Sequence, residues 1–311
     1  MSLELPIFLD NHSTTRVDPV VLEAMLPFFS ETYGNAASKN HTFGQEAELA
    51  VQETRATLAK AIGAKPQEIA FTSGATEAIN LAIKGVAEAN SSRGKHFITL
   101  ATEHKAVLEP VEVLAGRGLE VTVLPVDEKG WPSAQQLADA LRAETVLVST
   151  MHGNNETGVE LPLEDYATVL SDHEAWWHVD AAQTYGKRNE ALSNQRIDLI
   201  SISGHKVFAP KGIGALIVRR RGYERPPLTP LMYGGGQERG LRPGTLPVAL
   251  VASIGLAGQL ANQEATARRE ACETFREKVI DALDSLGAEV NGDPARILPH
   301  VVNASIPGVD A

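Results

Sequence analysis

The sequence predicts an α/β protein whose mostly parallel sheet is covered by helices on both faces. Between about residues 50 and 220, short apolar runs alternate with amphipathic helical stretches, which is typical of repeated strand–helix units. The chain has 311 residues, which is long for one ordinary core and favours about two domains.

The apolar runs define seven predicted strands. They are Glu68–Thr72, His96–Ala101, Glu120–Pro125, Thr145–Met151, Trp176–Asp180, Asp198–Ser203 and Gly214–Arg219. The clearest helices between them are Ala78–Ala89, Ala106–Ala115 and Pro132–Ala143. In sheets of this kind ligands bind beyond the carboxyl ends of the strands, so polar residues that follow the runs are the candidate site.

The chain changes character after Pro230. The later segments predict a loop, two helices and two short strands, at residues 234–244, Ala249–Asn262, 265–286, Ala288–Asn291 and His300–Ile306. We therefore predict a large domain at residues 16–260. Residues 1–15 and 261–311 would form a small α+β domain, which we expect to be incomplete at its C-terminal end.

Cys272 is the chain's one cysteine, which excludes an internal disulfide and a metal site built from cysteines. Phe275, Val279 and Leu283 follow it at helical spacing. This pattern predicts that Cys272 faces an apolar core and is not a reactive thiol. No metal site is predicted.

The charge distribution argues against two kinds of partner. The net charge is −11, and the densest basic cluster, Arg219–Arg221, is predicted to be a solvated strand end, so nucleic acid is not expected to bind. No run of about 18 apolar residues and no signal peptide is found, so we expect a cytoplasmic protein without membrane contact.

Two strand ends carry residues suited to pyridoxal 5′-phosphate (PLP). The run DLISISGHK delivers Lys206 to a strand end, where a partly dry site would favour a neutral amine that forms a Schiff base. The run WWHVDAAQ delivers Asp180, whose carboxylate would keep the PLP pyridine nitrogen protonated. A solvated lysine and a helix-capping aspartate are the alternatives, and the pair together favours the cofactor.

The segment FTSGATEAIN predicts an anion site. A strand ends, Gly74 permits a tight turn, and a helix begins near Ala75 or Thr76, so that N–H groups point at a phosphate. Ser203 and His205 would reach the same phosphate from another strand end. A simple Ser/Thr helix cap would explain the segment taken alone.

Further polar residues follow other predicted strands. His104 would stack on the pyridine ring and move a proton. Asn155 would donate to the ring O3′ or to a substrate carboxylate, and Gln183 would also bond the O3′ oxygen. Turn formation is the alternative role for the two amides. Five strand ends that converge on one set of cofactor groups are far more specific than any one motif.

Together these segments resemble the cysteine desulfurases of the class V aminotransferase group, in the branch that supplies sulfur for iron–sulfur clusters and tRNA thiolation. The resemblance runs from Phe8 almost to the end of the chain. Its motifs are FLDNHSTT, YGNAASKNHTFG, FTSGATEAINLAIKG, TEHKAVL, VSTMHGNNETG, HVDAAQTYGK, SISGHKVFAPKGIGAL and GGGQERGLRPGTLP. It implies the fold type I of PLP-dependent transferases, with a seven-stranded sheet.

The resemblance also implies a reaction and its catalytic residues. L-Cysteine would give L-alanine and a persulfide, with Lys206 as the Schiff-base lysine and His104 as the ring-stacking acid–base. Asp180 would pair with the pyridine nitrogen and Gln183 with the phenolic oxygen, while Asn155 would bind the substrate carboxylate. A sulfur-acceptor or scaffold protein would be the partner.

The same resemblance implies that the PLP phosphate would be bound by residues from two strand ends of one subunit and by a residue of a second subunit. The residues of this chain's own cradle are Gly74, Ala75, Thr76, Ser203 and His205. Thr245 matches a threonine that reaches the phosphate of the other subunit, which implies a homodimer.

One part of the family's chemistry is not matched by these motifs. The family uses a loop cysteine to attack the substrate sulfur and a later arginine to bind the carboxylate, and both are expected beyond Ala311. Cys272 does not match that cysteine. Three interpretations of the chain remain open: a truncated desulfurase, another class V aminotransferase or kynureninase-like lyase, and a non-catalytic dimerising partner. The motifs HVDAAQ, SGHK and RPGT favour the desulfurase.

Overall fold

A seven-stranded sheet forms the centre of the computed structural model, which describes residues 6–309. Its strands are β1 Ile69–Thr72, β2 His96–Leu100, β3 Glu120–Leu124, β4 Thr145–Met151, β5 Trp176–Asp180, β6 Leu199–Ser203 and β7 Gly214–Val218. The predicted strands agree with these to within one residue at each end, because nearly all of them are buried on both faces and so stand out as apolar runs.

The strands are ordered β1-β7-β6-β5-β4-β2-β3 across the sheet. Strands β2 to β6 pair in parallel, while β7 runs antiparallel to both β1 and β6. The predicted α/β class with a mostly parallel seven-stranded sheet is therefore confirmed. The carboxyl ends of β1, β2, β4, β5 and β6 meet at one edge, together with the start of β7.

Helices cover both faces of the sheet. They are α1 Pro19–Met25, α2 Pro27–Ser30, α3 Thr42–Ala61, α4 Ala75–Ala89, α5 Lys105–Ala115, α6 Ala134–Ala140, α7 Leu163–Leu170, α8 Asn189–Leu192 and α9 Val248–Asp284. Helices α4 and α5 pack together over one face, and α3 packs along α9 over the other. Successive strand residues such as Leu216 and Ile217 enter opposite apolar layers, as the pleat requires.

Helix α9 corrects one prediction, because one continuous helix replaces the two that the sequence suggested. Neither Gly nor Pro interrupts residues 259–286, so nothing in the chain breaks the hydrogen-bond ladder there. Phe275 is 64% exposed and Val279 is 45% exposed, and Cys272 is only half-buried, so the predicted core position of Cys272 is wrong. Helical spacing identifies an apolar face but not whether another element covers it.

The arginine cluster corrects a second prediction. Arg219 is buried and donates to the backbone carbonyls of Asn194 and Leu192, both at 2.7 Å. Arg221 pairs with Asp198 at 2.7 Å and lies over the Trp176 ring. The predicted solvated strand end is therefore wrong for both arginines, which fasten the end of β7 to its neighbours.

The last described residues form a small hairpin. Strands β8 Glu289–Val290 and β9 Ala304–Ser305 pair in antiparallel fashion, and Ile297 bridges to Val159 in the loop after β4. Within residues 6–309, no helix is both long enough and apolar enough to cross a membrane.

Candidate active site

The carboxyl edge of the sheet holds a cleft of about 400 Å³. Every predicted cofactor-site residue except Thr245 lines this cleft: Gly74, Ala75, Thr76, His104, Asn155, Asp180, Gln183, Ser203, His205 and Lys206. They come together because they follow the ends of five strands that share this edge. Among the described residues, no group of His, Cys, Asp and Glu is arranged to hold a metal ion.

Lys206 lies in a short 3₁₀ turn, Gly204–Lys206, directly after β6. Its Nζ donates to the backbone carbonyl of His12. Burial lowers the pKa of Lys206 below its usual range, although Asp180 and other carboxylates nearby oppose that shift. The amine therefore loses its proton more easily than an exposed lysine, as a nucleophile and base requires.

Asp180 is buried at the end of β5, beside Met151 of β4 and Ser201 of β6. Its Oδ1 accepts the backbone N–H of Ala182 at 2.9 Å, so the aspartate does cap a turn. Burial raises the pKa of Asp180, and the hydrogen bond from Ala182, together with the nearby Lys206, partly counteracts that effect. A cation in the cleft would pair with this carboxylate.

Gln183 connects the cleft to the N-terminal segment. Its Nε2 donates to the His12 carbonyl at 2.8 Å, while its Oε1 is buried and has no partner among the described residues. Thr14 Oγ1 lies 3.0 Å from His205 Nδ1, and Ser13 lines the cleft. The role of this segment was missed, since its contacts to Lys206 and Gln183 use a backbone carbonyl.

His104 and Asn155 enter the cleft from two loops. His104 caps α5, because its Nδ1 accepts the Ala106 N–H at 3.0 Å. The proton of the neutral ring is consequently on Nε2. Asn155 donates to Glu156 Oε1 at 2.7 Å. Its neighbour Asn154 anchors the loop by donating to the Thr102 carbonyl at 3.0 Å.

The turn before α4 forms a cradle of backbone donors. The N–H groups of Ala75 and Thr76, in the first turn of the helix, have no intrahelical acceptor. Gly214, at the start of β7, packs against this turn, since a Cβ there would lie 2.6 Å from the Gly74 Cα. Gly214 was also missed, although its position in the KGIGAL run marks a close backbone approach.

Thr245 is exposed and does not line the cleft of its own chain. The same loop is tied to the cradle by Arg242, whose Nε donates to Glu77 Oε1 at 3.0 Å. The other oxygen of Glu77 accepts the Ser73 N–H at 2.7 Å. Although burial opposes it, these bonds from Ser73 and Arg242 lower the pKa of Glu77.

Lys187 lies beneath the cleft and had no predicted role. Its Nζ donates to the carbonyls of Gln183 at 2.9 Å and Lys206 at 3.2 Å. Burial lowers its pKa to about 7, helped by the positive charge of Lys206. The spacing of residues along the sequence did not predict this contact, because Lys187 follows β5 whereas Lys206 follows β6.

The residues of the cleft fit PLP. The amine of Lys206 suits its aldehyde, the carboxylate of Asp180 its pyridine nitrogen, and the cradle of N–H groups its phosphate. Among the described residues, the Oε1 atom of the buried Gln183 amide has no partner, which indicates that a polar ligand completes it.

Comparison with known proteins identifies the family of the chain. The pattern of the family described as aminotransferase class-V matches residues 7–311. A cysteine desulfurase IscS from Anaeromyxobacter sp. (strain Fw109-5) is 45% identical over 311 residues, which cover 99% of this chain and 76% of that protein. A cysteine desulfurase from Homo sapiens is 44% identical over 307 residues, covering 98% of this chain and 67% of the human one.

Solved structures with comparable sequence identity share the fold. A structure described as a NifS-like protein superposes with a TM-score of 0.93 at 39% identity, covering 98% of this chain and 83% of its own. The crystal structure of DndA from Streptomyces lividans gives a TM-score of 0.89 at 45% identity, covering 98% and 86%.

Proposed function

The chain belongs to the class V aminotransferase family and is a PLP-dependent enzyme of the cysteine desulfurase type, and we propose how its residues divide the work of removing sulfur from L-cysteine. The products are L-alanine and a persulfide on the thiol that attacks the substrate sulfur, while the electron pair of the broken C–S bond stays on the substrate carbon, which takes up a proton. The observation that carries the assignment of roles is the meeting of Lys206, Asp180 and Gln183 in one cleft at neighbouring strand ends.

When bound, PLP supplies an electron sink that stabilises negative charge at the substrate α-carbon. Lys206 would hold the cofactor covalently, and its free amine would take the α-proton of the substrate. Burial prepares this amine by lowering its pKa. Asp180 strengthens the sink by keeping a proton on the ring nitrogen, and Gln183 orients the ring through its phenolic oxygen.

His104 moves a proton at the substrate sulfur. Its Nδ1 is occupied by the Ala106 N–H, so Nε2 is the atom available to the substrate. Asn155 binds the substrate carboxylate through its amide. The N–H groups of Ala75 and Thr76, with Ser203 and His205, fix the phosphate and thereby the position of the ring.

The wider role is sulfur supply. The chain would hand sulfur to an acceptor or scaffold protein for iron–sulfur clusters or thio-cofactors, as the IscS names of its relatives suggest for those proteins. It would work as a homodimer, since Thr245 is exposed on a loop that Arg242 ties to the phosphate cradle. From that loop, Thr245 would reach the phosphate in the partner's cleft.

Exchange of the α-proton of L-alanine in D₂O tests the base directly, because it requires PLP and a base but no sulfur chemistry. Lys206→Ala should slow this exchange, followed by NMR, by about 10²–10⁴-fold. Lys211→Ala is the matched control, since Lys211 lines the same cleft, and it should exchange near the normal rate. Borohydride reduction followed by peptide mapping should place PLP on Lys206.

Two results would contradict these roles. PLP fixed on Lys211, or unchanged exchange in the Lys206→Ala variant, would remove Lys206 from the mechanism. Product analysis with L-cysteine and a thiol reductant then tests the reaction type. Alanine with sulfide supports desulfuration, whereas pyruvate with ammonia would indicate a class V lyase.

A further inference from the structure

Glu103 is a buried carboxyl group beside the cleft to which the proposed reaction gives no task. It lies between β2 and His104, and only 5% of the residue is exposed. Its Oε1 accepts the backbone N–H of Met151, the last residue of β4. The paired register of β2 and β4 ends at Ile98 and Val148. The glutamate therefore replaces a strand–strand hydrogen bond where the two strands diverge.

The surroundings of Glu103 do not suit a negative charge. Its Oε2 is buried without a hydrogen-bond partner among residues 6–309, and within that range no Lys, Arg or His lies at ion-pair distance. The groups that interact with it electrostatically are Asp180 of β5 and the Tyr166 hydroxyl of α7. A buried carboxylate with no counter-charge is costly and takes up a proton instead.

Burial, followed by the charge of Asp180, raises the pKa of Glu103 well above its usual range. The same conclusion follows from the contacts alone, because one hydrogen bond from Met151 is too little to hold an ionised carboxylate in a dry site. A second negative charge would also disfavour ionisation of Asp180, whose carboxylate the ring nitrogen needs.

We propose that Glu103 is an uncharged positioning residue, whose protonated carboxyl group ties the His104 turn to the end of β4 and leaves the negative charge of the site on Asp180. This inference rests on the proposed function for its second half, the effect on the cofactor. The first half, a neutral Glu103, concerns the protein without PLP.

Infrared difference spectroscopy of the PLP-free protein tests the protonation state. The carbonyl stretch of a protonated carboxylic acid should be present at neutral pH and absent from Glu103→Gln. Glu109→Gln, an exposed glutamate in α5, is the matched control and should leave that band unchanged. A band that is unaltered by Glu103→Gln would overturn the proposal.

A second measurement compares two replacements of Glu103 in the PLP-loaded protein. Glu103→Gln keeps a neutral group that accepts from Met151, so its PLP Kd and the pH midpoint of its PLP absorbance should stay within about twofold and a few tenths of a unit. Glu103→Ala leaves the Met151 N–H unpaired and should weaken PLP binding by at least about tenfold.

The outcomes separate this inference from the proposed function. If Glu103→Gln shifts the absorbance midpoint by about a unit or more, Glu103 acts through its charge and the proposal fails. If Glu103→Ala lowers only the melting temperature, the residue has no positioning role. Neither of these results affects the test of Lys206 as the PLP-binding lysine. Conversely, PLP bound to another lysine would contradict the proposed function but would not affect the infrared evidence on Glu103.

Discussion

The cleft and the first half of helix α9 both contain buried groups, but of different kinds. The cleft holds the buried carboxyl group of Asp180, with Glu103 beside it, and Gln183 Oε1 has no partner among residues 6–309. The buried side of α9 is built mostly from Gly, Ala and Val, and Gly258 lets the helix approach Tyr185. The difference indicates that the cleft is held ready for chemistry at a cost in stability, which close packing elsewhere offsets.

If the cleft serves chemistry, its mutations should change rates more than stability. Asp180→Asn keeps an oxygen for the Ala182 N–H and removes a carboxylate whose charge is costly to bury. We expect α-proton exchange to fall by about 10²–10³-fold while the melting temperature holds or rises. NMR exchange and circular dichroism measure the two effects.

Asp165→Asn, the same change on the exposed face of α7, is the control and should alter neither property. A large loss of stability in Asp180→Asn with normal exchange would reverse the comparison, because Asp180 would then be structural.

If α9 serves packing, mutations in it should change stability more than the rate of the reaction. A Cβ at Gly258 would lie 2.6 Å from Tyr185 Oη, a buried hydroxyl without a partner among the described residues. Gly258→Ala should therefore lower the free energy of unfolding by about 1–3 kcal/mol, measured in urea, without changing exchange in the refolded enzyme.

A double-mutant cycle sharpens that prediction. Tyr185→Phe removes the clashing atom, so in that background Gly258→Ala should be neutral or stabilising, because Ala favours a helix over Gly by about 1 kcal/mol. Additive effects in the cycle would show that contact with Tyr185 does not limit the approach of α9.

Lys187 lies between the two regions and should produce a pH-dependent effect on stability. Its pKa is about 7 in the folded protein against 10.5 ordinarily, so between these values the unfolded chain binds the extra proton. Stability should therefore rise with pH across this window, by up to about 1.4 kcal/mol per unit, and this contribution is lost as pH falls towards 7. Lys187→Met should flatten that slope in urea unfolding series, and an unchanged slope would contradict it.

The fold was more predictable than the burial or exposure of individual side chains. The strands were found because runs such as Trp176–Asp180 are buried on both faces and have no polar alternation. The continuity of α9 was missed although neither Gly nor Pro interrupts residues 259–286. The exposure of Phe275 and the burial of Arg219 were not found, since each depends on which element lies alongside.

The site was predictable where side chains follow strand ends. The meeting of Lys206, Asp180 and His104 in one cleft was predicted in this way, since parallel strands bring their carboxyl ends to one edge. The contribution of the His12 carbonyl was missed because any residue supplies a carbonyl, so the sequence has no sign of it. Glu103 was missed because its lack of a counter-charge is a property of the folded interior.

The antiparallel strand β7 has a consequence for how the protein folds. Pairing Ile69 with Ile217 closes a very long loop of chain, and that pairing brings Gly214 against the phosphate turn at Gly74. Contacts this distant in sequence are entropically expensive and form late. We therefore expect partly folded chains to lack a complete phosphate cradle, so that the capture of PLP marks the end of folding and traps the finished structure by mass action.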